Sequence, residues 1–277
     1  MDKKPIFDVV ITTAGRFDML ELCLKAIYRD ATHPLTITIV DDASKKEEKL
    51  HYSHLFTYQP EWDVHGNVVS HKSRRNEKQE GFISSCNAGA KGGKAPLLSI
   101  ITDDVEIHEG YFDQIYKVMQ DDGIGVVGSR LIFPPTSNHK ARPAGKIQHV
   151  GVSLDIRANA VHPLVGWSPD NPKTQISREV LAVTGAIFTT KTKLFHSFGG
   201  FDPIYGLGYW EDVDYCLKVR QRGYKIWLES STSAYHYVAA TSEKGVIHNT
   251  GFQKNANTFR SRWANSGLLM YDAWTYG

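Results

Sequence analysis

A chain of 277 residues is long enough for one large α/β domain, or for two lobes sharing a sheet, with a core that needs no covalent staples. With 32 Lys and Arg against 30 Asp and Glu, the formal charge of +2 is too mild to argue for a nucleic-acid partner, which normally leaves a concentrated basic footprint, and leaves open a weak attraction to anionic surfaces. The three cysteines, Cys23, Cys86 and Cys216, are odd in number, far apart and set in apolar patterns, so they spell neither a disulfide framework nor a zinc site and read as reduced core thiols. No stretch nears the ~20 apolar residues of a membrane span, and residues 1–5 are charged with no apolar signal region behind them. The expectation is a cytoplasmic protein, with peripheral membrane association left open.

Residues 7–12 form a β-branched apolar run closed by Ala14-Gly15, and Leu20, Cys23, Leu24 and Ile27 then share one helical face. A His33-Pro34 break precedes the β-branched run 35–40, which stops at Asp41-Asp42; a charged, irregular stretch from 44 to 65 leads to a weaker strand at 67–70. Residues 82–90 read as a small-residue helix ending at Gly92-Gly93, followed by a strand over 97–102 and a helix over 111–120. Strands alternating with helices imply an α/β, Rossmann-like, mostly parallel sheet flanked by helices. Ligands in such sheets bind outside the carboxyl ends of the strands, so Thr12-Thr13, Asp41-Asp42 and Asp103-Asp104 are expected along one crevice.

The second half differs in character. A strand near 126–133 runs into a Pro-, Asn- and Gly-rich stretch from 134 to 172, and loops of that length in a compact domain are more often functional than idle. A strand over 180–189, helices over 191–198 and 213–222, a strand over 224–228 and a tail that stays polar from 242 until 259–263 complete the chain.

Asp103 and Asp104 leave the end of an apolar strand together, and hard cations such as Mg²⁺ or Mn²⁺ take one or two carboxylates while substrate phosphates fill other positions. An isolated Asp pair is also an ordinary turn after a strand. Glu211, Asp212 and Asp214 open a helix, where acids complement the macrodipole, but the preceding Gly- and aromatic-rich run through Trp210 exceeds what a cap requires and suits a sugar platform. A carboxylate at a helix N-terminus stays ionised, as a general base must. His236 reads alone as a satisfied histidine or as a metal ligand beside Asp104, and the other histidines show no paired spacing. Lys72, Arg74 and Arg75 read as a solvated basic loop, with phosphate contact as the minority alternative; Gly92-Gly93-Lys94 lacks the spacing of a P-loop.

Taken in order, these pieces resemble the family 2 glycosyltransferases of the GT-A fold. The residues that carry the likeness are Val10-Ile11-Thr12-Thr13-Ala14-Gly15-Arg16, Ile39-Val40-Asp41-Asp42-Ala43-Ser44, the helix ending in Asn87-Ala88-Gly89, and Ile101-Thr102-Asp103-Asp104-Val105. The second half adds Thr184-Gly185-Ala186, Gly199-Gly200-Phe201-Asp202, Glu211-Asp212-Val213-Asp214 and a closing segment Asn257 to Trp263. The likeness spans roughly residues 6–265, with Thr102 standing where many relatives carry another acid or Asn.

The resemblance implies a nucleotide-sugar-binding half over 1–108, an acceptor and catalytic half over 109–245 with a small antiparallel portion, and a tail over 246–277 packed on the domain. It implies that Thr12 and Asp41 hold the base, Asp103 the ribose or metal, Asp104 and His236 an Mn²⁺ or Mg²⁺ ion at the diphosphate, and Asp212 the general base. Thr13, Arg16, Asn87, Gly185, Trp210 and Glu211 join the expected substrate contacts. The implied reaction inverts the anomeric centre of a donor sugar, UDP-linked by family frequency with dTDP next. The acceptor is a glycan, a lipid-linked glycan, a protein or a modified nucleic acid. Two other readings compete: a non-catalytic sugar-nucleotide or glycan-binding protein, and a glycoside hydrolase with two opposed carboxylates.

Overall fold

The computed structural model describes residues 3–155, 157–238 and 246–269. Strand β1 (Phe7–Thr13) leads to helix α1 (Phe17–Arg29), whose Phe17, Leu20, Cys23, Leu24, Ile27 and Tyr28 are buried at helical spacing. Strand β2 (Leu35–Asp41) is followed by the short helix α2 (Lys46–His51), a 3₁₀ turn Ser53–Phe56 and strand β3 (Val68–Arg75). Helix α3 (Gly81–Ala90), strand β4 (Leu97–Thr102), strand β5 (Val105–Ile107) and helix α4 (Tyr111–Val118) complete the first half.

The second half begins with β6 (Ile124–Ile132), β7 (Ile147–His149), β8 (Ser153–Leu154), β9 (Ala160–Val161) and β10 (Arg178–Glu179). It continues with β11 (Ile187–Lys191), α5 (Thr192–Ser197), α6 (Glu211–Gln221), β12 (Lys225–His236) and α7 (Val246–Trp263). The main sheet runs in the order β10-β12-β6-β11-β4-β1-β2-β3, with β5 on β12 and β7 on β6, while β8 and β9 form a separate pair.

Strands β3, β2, β1 and β4 are parallel, and β11 enters antiparallel between β4 and β6. The register aligns Thr12 with Val40 and Thr102, and Thr13 with Asp41, so three strands stop at one level. One apolar cluster, around Phe7, Ile11, Leu20 and Phe112, packs α1 and α4 on one face of the sheet; a second, around Val10, Cys86, Phe201, Tyr215 and Phe259, packs α3, α5, α6 and α7 on the other. The α/β, GT-A-like expectation holds. All three cysteines are free and buried, and no helix among the described residues is long and apolar enough to cross a membrane.

Several sequence expectations change. The basic cluster is part of β3 rather than of a loop, and Arg75 is consumed internally, as described below. The apolar run from 180 is not one strand: only Ile187–Lys191 pairs fully, because residues 180–183 are buried by side-chain packing and hold the sheet through single bonds, such as Val180 N–H to the Ile226 carbonyl at 2.9 Å. The last strand extends far beyond residue 228, since an irregularity between Glu229 and Ser233 bends it and lets it resume pairing with β5 as far as His236. The tail contains the helix α7; residues 239–245 and 270–277 lie outside the described residues.

The Asn-x-Gly motif has a packing origin. Asn87 donates from Nδ2 to the Phe201 carbonyl at 2.8 Å and accepts from the Phe201 N–H at 2.8 Å, locking α3 to the chain after α5. Two residues on, a Cβ at Gly89 would meet Val10 Cγ1 at 2.4 Å and Val40 Cγ2 at 2.9 Å, so α3 lies directly on β1 and β2. Gly89→Ala is expected to lower stability by about 1–3 kcal/mol through overpacking, read as a lower denaturant midpoint at unchanged slope.

Candidate active site

The two acidic pairs at the ends of β2 and β4 divide in the same way. Asp41 is fully buried and faces inward: it accepts from the Ser44 N–H at 2.9 Å and from Arg75 Nη1 at 2.6 Å, with Lys49 Nζ at 3.0 Å. Burial works against its charge, but these partners lower its pKa. Asp42, the next residue, lines the crevice and accepts from Asn76 Nδ2 at 2.8 Å and from the N–H groups of Glu80 at 2.8 Å and Gly81 at 2.9 Å, fixing the approach to α3. Asp103 is likewise fully buried and salt-bridged to Arg16, while Asp104 faces the crevice and accepts from Arg16 Nη1 at 2.8 Å and Thr102 Oγ1 at 2.7 Å. Burial pushes Asp103 up to about 7 against the pull of Arg16. For Asp104 burial is overcome by His236, Arg16 and Thr102, which hold it well below the usual carboxylate range.

His236 reaches this corner because β12 pairs it with Val105 and the Tyr237 N–H bonds the Asp104 carbonyl at 2.9 Å. Its Nε2 stands 3.4 Å from Asp104 Oδ1, and its Nδ1 hydrogen-bonds Gln148 Oε1 at 2.9 Å. On the opposite wall, the Thr102 N–H bonds the Ala186 carbonyl at 2.8 Å, and the Gly185 N–H donates to Asp212 Oδ2 at 2.7 Å. The loop 184–186 thus joins the end of β4 to the start of α6.

That start is strained. Tyr209 and Trp210 both adopt left-handed backbone, with φ of 74° and 77°, a conformation uncommon for bulky residues that persists only where surroundings enforce it. Helix α7 enforces it: Asn255 Nδ2 donates to the carbonyls of Tyr205 at 2.7 Å and Gly208 at 2.8 Å, and Trp210 packs at a tilt against Phe259 with ring centroids 4.7 Å apart. Glu211 and Asp212 then emerge into the crevice. Burial raises both carboxyl pKa values, Glu211 well above the ordinary range with Asp212 adding to it, while the N–H of Gly185 partly restrains the rise at Asp212. Asp214 does something else. Fully buried, it accepts from Tyr205, Arg262 and Trp263, each at 2.9 Å, and so binds α7 to α6.

Of the expected site residues, Thr12, Thr13, Arg16, Asp104, Gly185, Trp210, Glu211, Asp212 and His236 line one crevice of about 710 Å³. Asp41, Asn87 and Asp103 do not line it; Asp41 and Asp103 turn inward and Asn87 is the α3 clamp. The crevice also draws on Asp42, expected at its edge but given no role, and on residues not singled out from the sequence, among them Gln79, Phe82 and His162. Asp42 was legible as the alternate residue at a strand end, whereas His162 had no signal beyond its place in the long 134–172 loop.

The donors present fit a hard cation. Asp104 and His236 offer oxygen and imidazole, and Asp103 Oδ2 is buried with no hydrogen-bond partner. Among the described residues no group of three or more His, Cys, Asp or Glu is gathered as a complete cage. Such a set suits an ion that takes its other ligands from substrate phosphates.

The glycosyl transferase family 2 model matches residues 8–166. The chain belongs to this family. It is 22% identical over 273 residues to the uncharacterized protein y4gI of Sinorhizobium fredii, covering 95% of this chain and 28% of that protein. It is 27% identical over 169 residues to the O-antigen biosynthesis protein RfbC of Myxococcus xanthus, covering 58% of this chain and 12% of that protein. The chain therefore spans little more than a quarter of the first relative and about an eighth of the second. GalNAc-T7, solved with UDP, GalNAc and Mn²⁺, shares the fold at a TM-score of 0.63 and 17% identity, over 83% of this chain and 42% of that one. So do TarS of S. aureus with UDP-GlcNAc (0.62, 12%, 94% and 66%) and the mannosyltransferase PcManGT of Pyrobaculum calidifontis with GDP-Man and Mn²⁺ (0.58, 14%, 86% and 58%). The family's GT-A fold is the fold of this chain.

Arg16 is the cation that makes the paired acids tolerable, and its guanidinium spans both carboxylates. Arg16→Met is expected to destabilise the protein by roughly 2 kcal/mol, less than a fully buried pair because the side chain keeps 29% exposure. Arg16→Lys should recover only part of this, since an ammonium cannot fork. Denaturant unfolding of the two variants checks both statements.

Proposed function

We propose that the chain is a metal-dependent, inverting glycosyltransferase that moves a sugar from a nucleoside-diphosphate donor to a hydroxyl of a glycan or similar acceptor. The observation that carries this reading is Asp212. It opens into the same crevice as Asp104 and His236, held by the Gly185 N–H at 2.7 Å, and burial raises its pKa, which strengthens it as a base near neutral pH.

The donor lies along the strand ends, its nucleoside beside Thr12 and Thr13 and its diphosphate toward Asp104 and His236. Asp104 and His236 would hold Mn²⁺ or Mg²⁺, whose chemistry would be electrostatic stabilisation of a diphosphate leaving group. Arg16 keeps Asp104 ionised and aimed. Trp210 and the loop 207–209 flank the acceptor, whose hydroxyl gives its proton to Asp212. The oxygen then bonds the anomeric carbon as the carbon–oxygen bond to the diphosphate breaks, the electron pair leaving on that oxygen. Glu211 lies beside the base, its pKa raised well above the ordinary range by burial and by the neighbouring charge of Asp212.

UDP is the favoured carrier, supported by the UDP complexes of GalNAc-T7 and TarS, with dTDP next. Thermal shift with UDP, dTDP and GDP, with and without Mn²⁺, is expected to show the largest stabilisation for UDP with the metal. Asp212→Asn is expected to keep that shift while turnover of the corresponding sugar nucleotide falls by at least ~10²-fold. Full turnover in Asp212→Asn would remove Asp212 as the base, and binding without turnover in the unaltered chain on any glycan acceptor would favour a non-catalytic binding protein.

A further inference from the structure

Two histidines outside the expected set make an ordered pair at the Asp104 end of the crevice. His149 ends β7 and is buried at 1% exposure; His162 follows β9 and is exposed in the crevice wall. Their Nδ1 atoms lie 2.9 Å apart, so one of the two carries the shared proton. The Gly151 N–H decides which. It lies 3.3 Å from His149 Nε2, and a backbone N–H can only donate, so His149 Nε2 is an acceptor. A neutral His149 therefore carries its proton on Nδ1 and donates it to His162 Nδ1. A neutral His162 must then carry its own on Nε2, the ring nitrogen for which no partner exists among the described residues. Protonating either ring would set N–H against N–H, at Gly151 for His149 and at the shared Nδ1 contact for His162.

The pair adjoins the diphosphate corner. Gln148 and His149 alternate along β7, one bonded to His236 and the other to His162, so one short strand supports both crevice histidines. A ring locked as an N–H donor complements a ligand whose oxygens only accept, as phosphate oxygens do, better than a sugar hydroxyl that also donates. We propose that His162 donates a hydrogen bond from Nε2 to an oxygen of the donor diphosphate, with His149 as the positioning residue that fixes the proton on that atom. The inference rests on the nucleotide-sugar reading above and deepens it with an uncharged donor that acts on the leaving group without adding a second fixed cation beside Arg16.

The test has a spectroscopic and a binding arm. ¹⁵N NMR of the imidazoles at neutral pH is expected to show His162 as the Nε2–H tautomer and His149 as Nδ1–H; the reverse assignment overturns the proposal. With whichever of UDP, dTDP or GDP binds the unaltered protein most tightly in Mn²⁺, His162→Phe is expected to weaken nucleotide binding about tenfold, the worth of one hydrogen bond to a charged group. His162→Gln, whose amide can place an N–H near the same point, should restore most of it. His149→Phe should give a smaller loss together with mixed His162 tautomers. Unchanged nucleotide affinity in His162→Phe, or a change confined to the KM of the acceptor, would overturn the assignment while leaving the transferase reading intact. Failure of all three nucleotides to bind the unaltered protein would overturn both.

Discussion

Burying carboxylates at the ends of apolar strands is costly unless each charge is paired, and that constraint organises this molecule. The chain meets it twice in the same manner. The inner acid of each pair, Asp41 or Asp103, turns into the protein and takes an arginine, Arg75 or Arg16, while the outer acid, Asp42 or Asp104, is released toward the crevice. Arg16 comes from the turn after β1 and Arg75 from the end of β3, so each ion pair also ties together the ends of neighbouring strands. The strand ends form one floor because their charges have been joined across them.

The second half of the chain supplies the opposite wall, and it does so through backbone as much as through side chains. The irregular β12 delivers His236 to Asp104, the loop 184–186 bonds both the β4 end and Asp212, and α7 clamps the strained segment that presents Glu211 and Asp212. Acids three residues apart on one helix serve different ends. Glu211 and Asp212 face the crevice, while Asp214 is spent on Tyr205, Arg262 and Trp263. The closing sequence segment thus owes its character to the needs of α6.

Much of this was legible in the residues. Periodicity and turn chemistry located β1, α1, β2, α3, β4 and α6 to within a few positions, and the rule that ligands gather at the carboxyl ends of parallel strands put Thr12, Asp104 and Asp42 on one crevice. What sequence could not supply was side-chain direction and long-range register. Adjacent acids look alike in a string, yet opposite orientations send Asp41 and Asp103 inward. Asn87 belonged to a recognisable motif whose meaning is a backbone clamp on Phe201, 114 positions away. His149 and His162 lie 13 residues apart with no helical or strand period linking them, and only the folded loop brings their rings together. The run at 180–183 is apolar enough for a strand, and burial without pairing explains why it is not one.

The sheet order also bears on how the molecule behaves among its own copies. One margin is β3, where Lys72 and Arg74 stand exposed along the last row of strand backbone, and the other is β10, only two residues long. Positive charge on a terminal strand repels the matching strand of a second molecule, and a two-residue strand offers too few unpaired groups to template an addition. The same basic residues that read as a solvated loop in the sequence thus discourage edge-to-edge pairing between copies.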